Sequence, residues 1–231
     1  MFRLRRDPLL AGAVTVLCSA CLILAAMQIS RHLRFGELRY VATQLETDRP
    51  VARNVLERAV TGALALQDEG ICQSEFLKAA LTVTLTKLDH QNQDVDYEAW
   101  SNTLLQAESL IRFSLSCIPT DGNLWARLAM VRQAISEQPD ELAKLVTFSQ
   151  LYAPAEENVI DARYRLYNRV TKDTLALLGD PMRSDLEAIC SPQGGGLRRR
   201  LPPPGLLVAV QLMRIAPECN IGRSVAGKTG R

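Results

Sequence analysis

The residues in this chain that could do chemistry are few, and most are better explained by structure. Gly222-Arg223-Ser224-Val225-Ala226-Gly227-Lys228-Thr229 spells GxxxxGK[ST], the loop whose backbone N–H groups and following helix converge on phosphate. Only Gly230 and Arg231 come after it, and Pro217 to Asn220 is not a buried strand, so the segment is expected to be a basic tail. Of the two histidines, His32 sits among arginines and His90 in a turn with Asp89, Asp94 and Asp96. That turn lacks the regular oxygen spacing and glycine bend of a cation loop. A zinc site or a His-based triad would need distant partners for His90. Glu156, Glu157 and Asp161 fall in the opening turns of a helix, where carboxylates complement the positive dipole end. The sequence therefore assigns no catalytic residue, cofactor or metal ligand.

Arginines offer binding rather than catalysis. Arg165 and Arg169 are four apart on one helix face, and with Arg127 and Arg163 they would line a groove for a partner or an anionic group if helix pairs stack around them. A solvated, salt-bridged surface is the plainer alternative. The chain has 27 basic and 25 acidic residues, a net charge of +2, and aromatics at 5%. This near balance provides no basic face for nucleic acid, and the scarcity of aromatics weakens base or sugar stacking.

The cysteines bear on compartment. Cys18 and Cys21 lie inside an apolar run, where they would pack against lipid or another helix. Cys72, Cys117, Cys190 and Cys219 are spread through the rest, and four cysteines allow three pairings. A helix over Ile71–Asp89 and another over Asp96–Ser116, joined by HQNQDV, would form an antiparallel hairpin that brings Cys72 opposite Cys117. By the same argument Cys190, ending a short helix, and Cys219, following Leu206–Ile215, would close the loop GGGLRRRLPPPG. Such bridges place the domain in an oxidising compartment. Four unpaired buried thiols are the alternative.

These residues need elements to hold them. Pro8 to Ile29 is 22 residues without a charge, enough for a helix to cross a bilayer core of about 30 Å. A retained single-pass anchor is expected. Leu17-Cys18-Ser19-Ala20-Cys21 also approaches a lipobox, with Cys21 as the lipidated residue, but Cys18 stands where leucine is usual and Leu22 to Met27 stays apolar. A cleaved secretory signal is the third reading, with Ala25-Ala26-Met27 a poor cleavage site. The flanking arginines nearly match (Arg3, Arg5 and Arg6 before; Arg31, Arg34 and Arg39 after), so orientation rests on the cysteines.

Downstream, alanine, leucine and charged residues dominate, and Gly and Pro cluster at punctuation points, which predicts an all-α chain. Residues 1–7 form a cytoplasmic tail, 8–29 the membrane helix and 30–49 an amphipathic stalk carrying Leu33, Leu38, Val41, Ala42 and Leu45. Residues 50–190 form the helical domain, with Pro50 opening its first helix. Helices are expected over Asn123–Glu137, Asp140–Tyr152 and, unbroken, Ala155–Leu178. A solvated Gly/Pro/Arg loop (191–205), a closing core helix (206–219) and a basic tail (220–231) complete the chain. The spacing of Pro119 and Pro154, 35 residues, approaches the 34-residue period of tetratricopeptide repeats. Trp125, Leu128, Ala129 and Pro154 fall where that repeat places its Trp, Leu, small residue and proline, so a tetratricopeptide-like array of antiparallel helix pairs follows the anchor. Arg132 stands where the repeat has tyrosine, and the second helix requires a one-residue insertion.

The run from Gly122 to Val170, with Asn123-Leu124-Trp125, Leu128-Ala129, Tyr152-Ala153-Pro154, Ala162-Arg163 and Arg165, resembles a group of uncharacterised, membrane-anchored helical-repeat proteins of bacterial envelopes, often encoded near genes for exported polysaccharides. The resemblance implies a setting, not an activity. The function expected is a non-catalytic scaffold or adaptor at the bacterial inner membrane, with the bulk of the chain in the periplasm. Its partners would be the membrane, other envelope proteins and an anionic glycan, with no nucleic acid. An envelope enzyme or ligand-sensing domain with an arginine-lined cleft, and a self-association module, are the alternatives.

Overall fold

The structure is a computed structural model that describes residues 8–222. Among them every regular element is a helix, and the chain divides into two compact units, Met1–Lys87 and Leu88–Arg231. Apart from Gly222, the GxxxxGK[ST] match lies outside the described residues, as do residues 1–7, where a cytoplasmic tail is expected.

The first unit is built on α1 (Pro8–Glu46), a single 39-residue helix that joins the apolar run and the stalk without a break. The helix is long and apolar enough to span a membrane. Its side chains from Gly12 to Ser30 are exposed, and burial begins at Phe35, Leu38, Val41 and Ala42. Leu33, expected on the buried stripe, is exposed, and Phe35 takes that place. α2 (Arg53–Asp68) packs on α1 through Leu56, Ala59, Val60, Ala63 and Leu66. It starts at Arg53, after Pro50, because Ala52 keeps an extended backbone and serves as N-cap. It ends at Gly70, whose positive φ lets its N–H reach the carbonyl of Gln67 and the Ile71 N–H reach that of Leu66, the paired bonds of a left-handed cap. α3 (Ser74–Asp89) adds Phe76, tilted against Phe35 with centroids 5.6 Å apart. Arg58–Glu37 (3.1 Å), Arg39–Glu75 (3.0 Å) and Lys87–Glu57 (2.8 Å) bridge these helices at the surface.

The second unit holds α4 (Tyr97–Cys117), α5 (Gly122–Ile135), α6 (Pro139–Tyr152), α7 (Glu157–Tyr167), α8 (Lys172–Leu177), α9 (Gly179–Cys190), α10 (Gly195–Arg200) and α11 (Leu206–Ile215). Asp96 caps α4 by accepting from the Ala99 N–H at 3.0 Å, and Asp121 caps α5 by accepting from Asn123 and Leu124. α5 and α6 form the central pair. Leu128 and Ala129 are buried, as are Leu142, Val146 and Ser149 on α6. The pair closes at Gly122, where a Cβ would lie 2.5 Å from the Ala153 Cβ and 2.8 Å from the Ser149 carbonyl oxygen, so only glycine fits. α4 packs on one side of α5 and α7 on another, while α8 and α9 pack on α6.

Two expectations are corrected in this unit. The helix expected over Ala155–Leu178 is two, because Asn168 ends α7. Its amide donates to the Tyr164 carbonyl at 2.8 Å and its carbonyl accepts from the Gly205 N–H at 2.6 Å. The Glu137 carboxylate then restarts the chain as α8, accepting from the Thr171 N–H at 2.8 Å, from the Thr171 hydroxyl at 2.7 Å and from the Thr174 hydroxyl. Residues 191–205 are not a solvated loop: they contain α10, and Leu197 and Leu201 are buried. The short helix expected to end at Cys190 is α9, which starts at Gly179.

Candidate functional site

The expected arginine groove does not assemble as a surface. Arg163, on α7, is fully buried and belongs to the interior. Its Nε and Nη2 donate to the two oxygens of Asp185, on α9, at 2.7 Å each, a bidentate pair. Its Nη1 donates to the Ser149 hydroxyl at 3.0 Å and to the Ala153 carbonyl at 3.1 Å, both at the end of α6. The Tyr167 hydroxyl donates to Asp185 Oδ2 at 2.8 Å. Burial opposes the Arg163 charge, but the hydrogen bonds and field of Asp185 outweigh it and raise the guanidinium above its ordinary value. Burial likewise lifts the Asp185 carboxyl above the usual carboxylate range and the Tyr167 hydroxyl well above that of free tyrosine. Tyr164, beside them on α7, is pushed up to about 12 by burial, and its hydroxyl donates to the Pro202 carbonyl. The cluster joins α6, α7 and α9 and leaves no polar atom turned to solvent for chemistry.

The other three arginines stay apart from it. Arg165 pairs with Asp161 at 2.7 Å, one turn earlier on its own helix. Arg127, half-buried, donates to Asn123 at 3.2 Å, and Arg169 is exposed. Arg132, which displaces the repeat's tyrosine, has a place of its own: it donates to Glu141 at 2.9 Å and lies 3.4 Å from Glu108, tying α5 to α6 and α4.

The repeat residues divide by exposure. Leu128 and Ala129 fill the α5–α6 seam, but Trp125 is only half-buried and Pro154 is exposed. Trp125 is fixed by an indole N–H donated to the Pro119 carbonyl at 2.8 Å. Its ring meets Phe148, with centroids 4.8 Å apart, and Phe148 stacks on Tyr152 with an interplanar angle of 12°. Phe148, Leu151 and Tyr152 remain 41%, 63% and 38% exposed, so the outer edge of the pair carries an aromatic strip. Sequence reasoning missed Phe148 and Tyr152 as Trp125's companions, although their spacing of four on one helix was a signal that could have found them.

No protein-family model, curated protein or solved structure matches the chain. Any reading of function rests on its own residues.

Cys190 is bonded to Cys219, with Cα atoms 5.6 Å apart, joining the end of α9 to the residues that follow α11. Cys72 and Cys117 are also disulfide-bonded, while Cys18 and Cys21 are free and exposed on α1. His90 is exposed, and the described residues contain no cluster of three His, Cys, Asp or Glu side chains that could hold a metal ion. α11 buries Val208 and Leu212 but exposes Leu206, Leu207, Val210 and Met213, so it closes the core with one face only.

Proposed function

We propose that this chain is a single-pass membrane protein whose helical part is a non-catalytic scaffold or adaptor on the periplasmic side of a bacterial inner membrane. The observation that carries the adaptor reading is the Trp125–Phe148–Tyr152 strip. Contiguous exposed aromatic surface on a rigid helix pair is the kind of surface that protein partners cover. The anchor reading draws on α1, and the compartment on the disulfide-bonded state of Cys72, Cys117, Cys190 and Cys219. A tetratricopeptide-like role for the α5–α6 pair draws on the spacing of Trp125, Leu128, Ala129 and Pro154, and a role in making or exporting polysaccharide on the sequence resemblance alone.

The test is site-specific photo-crosslinking in cells, with the crosslinker at Phe148 or Tyr152 and at Tyr97 as a distant exposed control. A discrete envelope-protein adduct from the strip and not from Tyr97 is the expected result. Equal, diffuse labelling from all three positions would remove the adaptor reading. Thiol alkylation before and after reduction checks the compartment: four freely labelled domain cysteines in cells would put the domain on the reducing side.

A further inference from the structure

α9 has a second polar face, turned away from Arg163. Where Asp185 points inward, Arg183 and Glu187 are exposed and line a cleft of about 480 Å³ bounded by α8, α9 and α11. α11 contributes Gln211 and Arg214, and the apolar surface comes from Ala176 on α8 and Ile215 on α11. This volume lies within the range of small-molecule sites, roughly 300–1,000 Å³.

The charges in this cleft are unspent. Among the described residues neither Arg183 nor Arg214 has an acidic partner, and Glu187 pairs with neither, although Arg183 and Glu187 are one turn apart on the same helix. In the same unit Arg132, Arg163 and Arg165 are each paired with a carboxylate. The walls are also fixed, because Cys190, which ends α9, is bonded to Cys219 just past α11.

We propose that the α8–α9–α11 cleft binds a small amphipathic anion. Arg183 and Arg214 hold its carboxylate or phosphate head, Gln211 and Glu187 take hydrogen bonds from or to its polar substituents, and its hydrocarbon part lies over Ala176 and Ile215. Two guanidiniums lining one open cleft suit an anionic head, and the apolar lining rewards a body that water does not. Glu187 offsets part of the positive charge, which favours a singly or doubly charged head over a polyanion. Such a head can come from a soluble amphiphile or from an anionic lipid. The proposal is independent of the adaptor reading, which concerns the edge of α5 and α6.

The test uses the full chain in nanodiscs of zwitterionic lipid, titrated by calorimetry with hexyl phosphate, and with inorganic phosphate and hexanol as head-only and tail-only probes. Saturable binding of hexyl phosphate, at least tenfold weaker for each single-part probe and at least tenfold weaker in R183Q/R214Q, is expected. An R199Q variant, altering an exposed arginine that does not line the cleft, should bind as the unaltered chain does. Equal binding by R183Q/R214Q, or no saturable binding of hexyl phosphate, overturns the proposal. Repeating the titration in discs containing phosphatidylglycerol assigns the source: weakened binding of hexyl phosphate supports a lipid occupant of the site, and unchanged binding supports a soluble one. Unchanged unfolding of R183Q/R214Q in urea shows that any loss belongs to the cleft and not to the fold.

Discussion

On the inner side of α9, Asp185 takes two hydrogen bonds from a fully buried arginine; on its outer side, Arg183 faces an open cleft with Arg214 and has no acidic partner among the described residues. The same functional group thus does two jobs within one helix diameter. A guanidinium in the interior must have its donors satisfied, and four acceptors surround Arg163: both Asp185 oxygens, Ser149 and Ala153. A guanidinium at the rim remains hydrated and keeps its donors for a visitor. Partner count and burial, rather than residue type or spacing, separate a structural arginine from a binding one.

The most direct way to break this comparison is at Asp185. Asp185→Asn keeps the volume but leaves the Arg163 charge without its counter-ion, and should destabilise the second unit by about 3–5 kcal/mol. Urea unfolding followed by the fluorescence of Trp100 and Trp125 would measure it. Replacing both partners at once, Arg163→Met with Asp185→Leu, should be less harmful than Asp185→Asn, since no orphaned charge remains. If the double variant were the worse, the cluster would owe its stability to the ion pair itself.

The covalent tie comes next. Cys190→Ser with Cys219→Ser frees the α9 end from the segment after α11 and should lower stability by about 2–4 kcal/mol. Because both cysteines lie away from Arg163 and its acceptors, the effect should add to that of Asp185→Asn rather than merge with it. Gly122→Ala should follow at about 1–3 kcal/mol, since the new Cβ meets backbone atoms of Ser149 and Ala153 that cannot turn aside. That substitution also presses on Ser149 and Ala153, the two residues whose hydroxyl and carbonyl accept from Arg163, so its effect should not be additive with Asp185→Asn.

What could be read from the sequence was whatever local periodicity encodes. The apolar run of α1, the stripe of α2, the helices α3 and α4 and the α5–α6 pair all follow from spacing within one element, and the stalk continues α1 as its pattern required. The rest depends on contacts between distant residues. The break between α7 and α8 is made by Glu137, 34 residues before Thr171, and by Gly205, 37 after Asn168, neither visible in the helical pattern of the intervening chain. The GGGLRRRLPPPG segment looked solvated because glycine, proline and arginine surround Leu197 and Leu201, the two residues that bury it. Arg163 looked like a surface residue because its acid is 22 positions away. The cleft arginines, Arg183 and Arg214, drew no notice for the matching reason: helices far apart in sequence bring them to one place.

A pH measurement sharpens the contrast between paired and unpaired groups. Burial works against the Glu137 carboxylate, but the hydrogen bonds from Thr174 and Thr171 outweigh it and hold its pKa below the ordinary 4.5. A depressed acid stabilises the fold above its unfolded pKa, and that stability is lost as pH falls through the folded value. Glu137→Gln should therefore be less stable than the unaltered chain at neutral pH, and the gap should close below about pH 4.5. A gap that persisted into acid would mean that the α8 cap does not depend on the charge.

The smallest expected effect is the one that holds the comparison together. R183Q/R214Q removes two charges from the same unit, yet both side chains are exposed, neither lies within an ion pair among the described residues, and nothing buried depends on them. Its urea midpoint should shift by no more than about 0.5 kcal/mol in stability. Removing two like charges from one cleft relieves some repulsion, so a slight gain is the natural sign of any change. A loss on the scale of Asp185→Asn would mean that the outer arginines are as structural as Arg163, and the division between the two faces of α9 would fall.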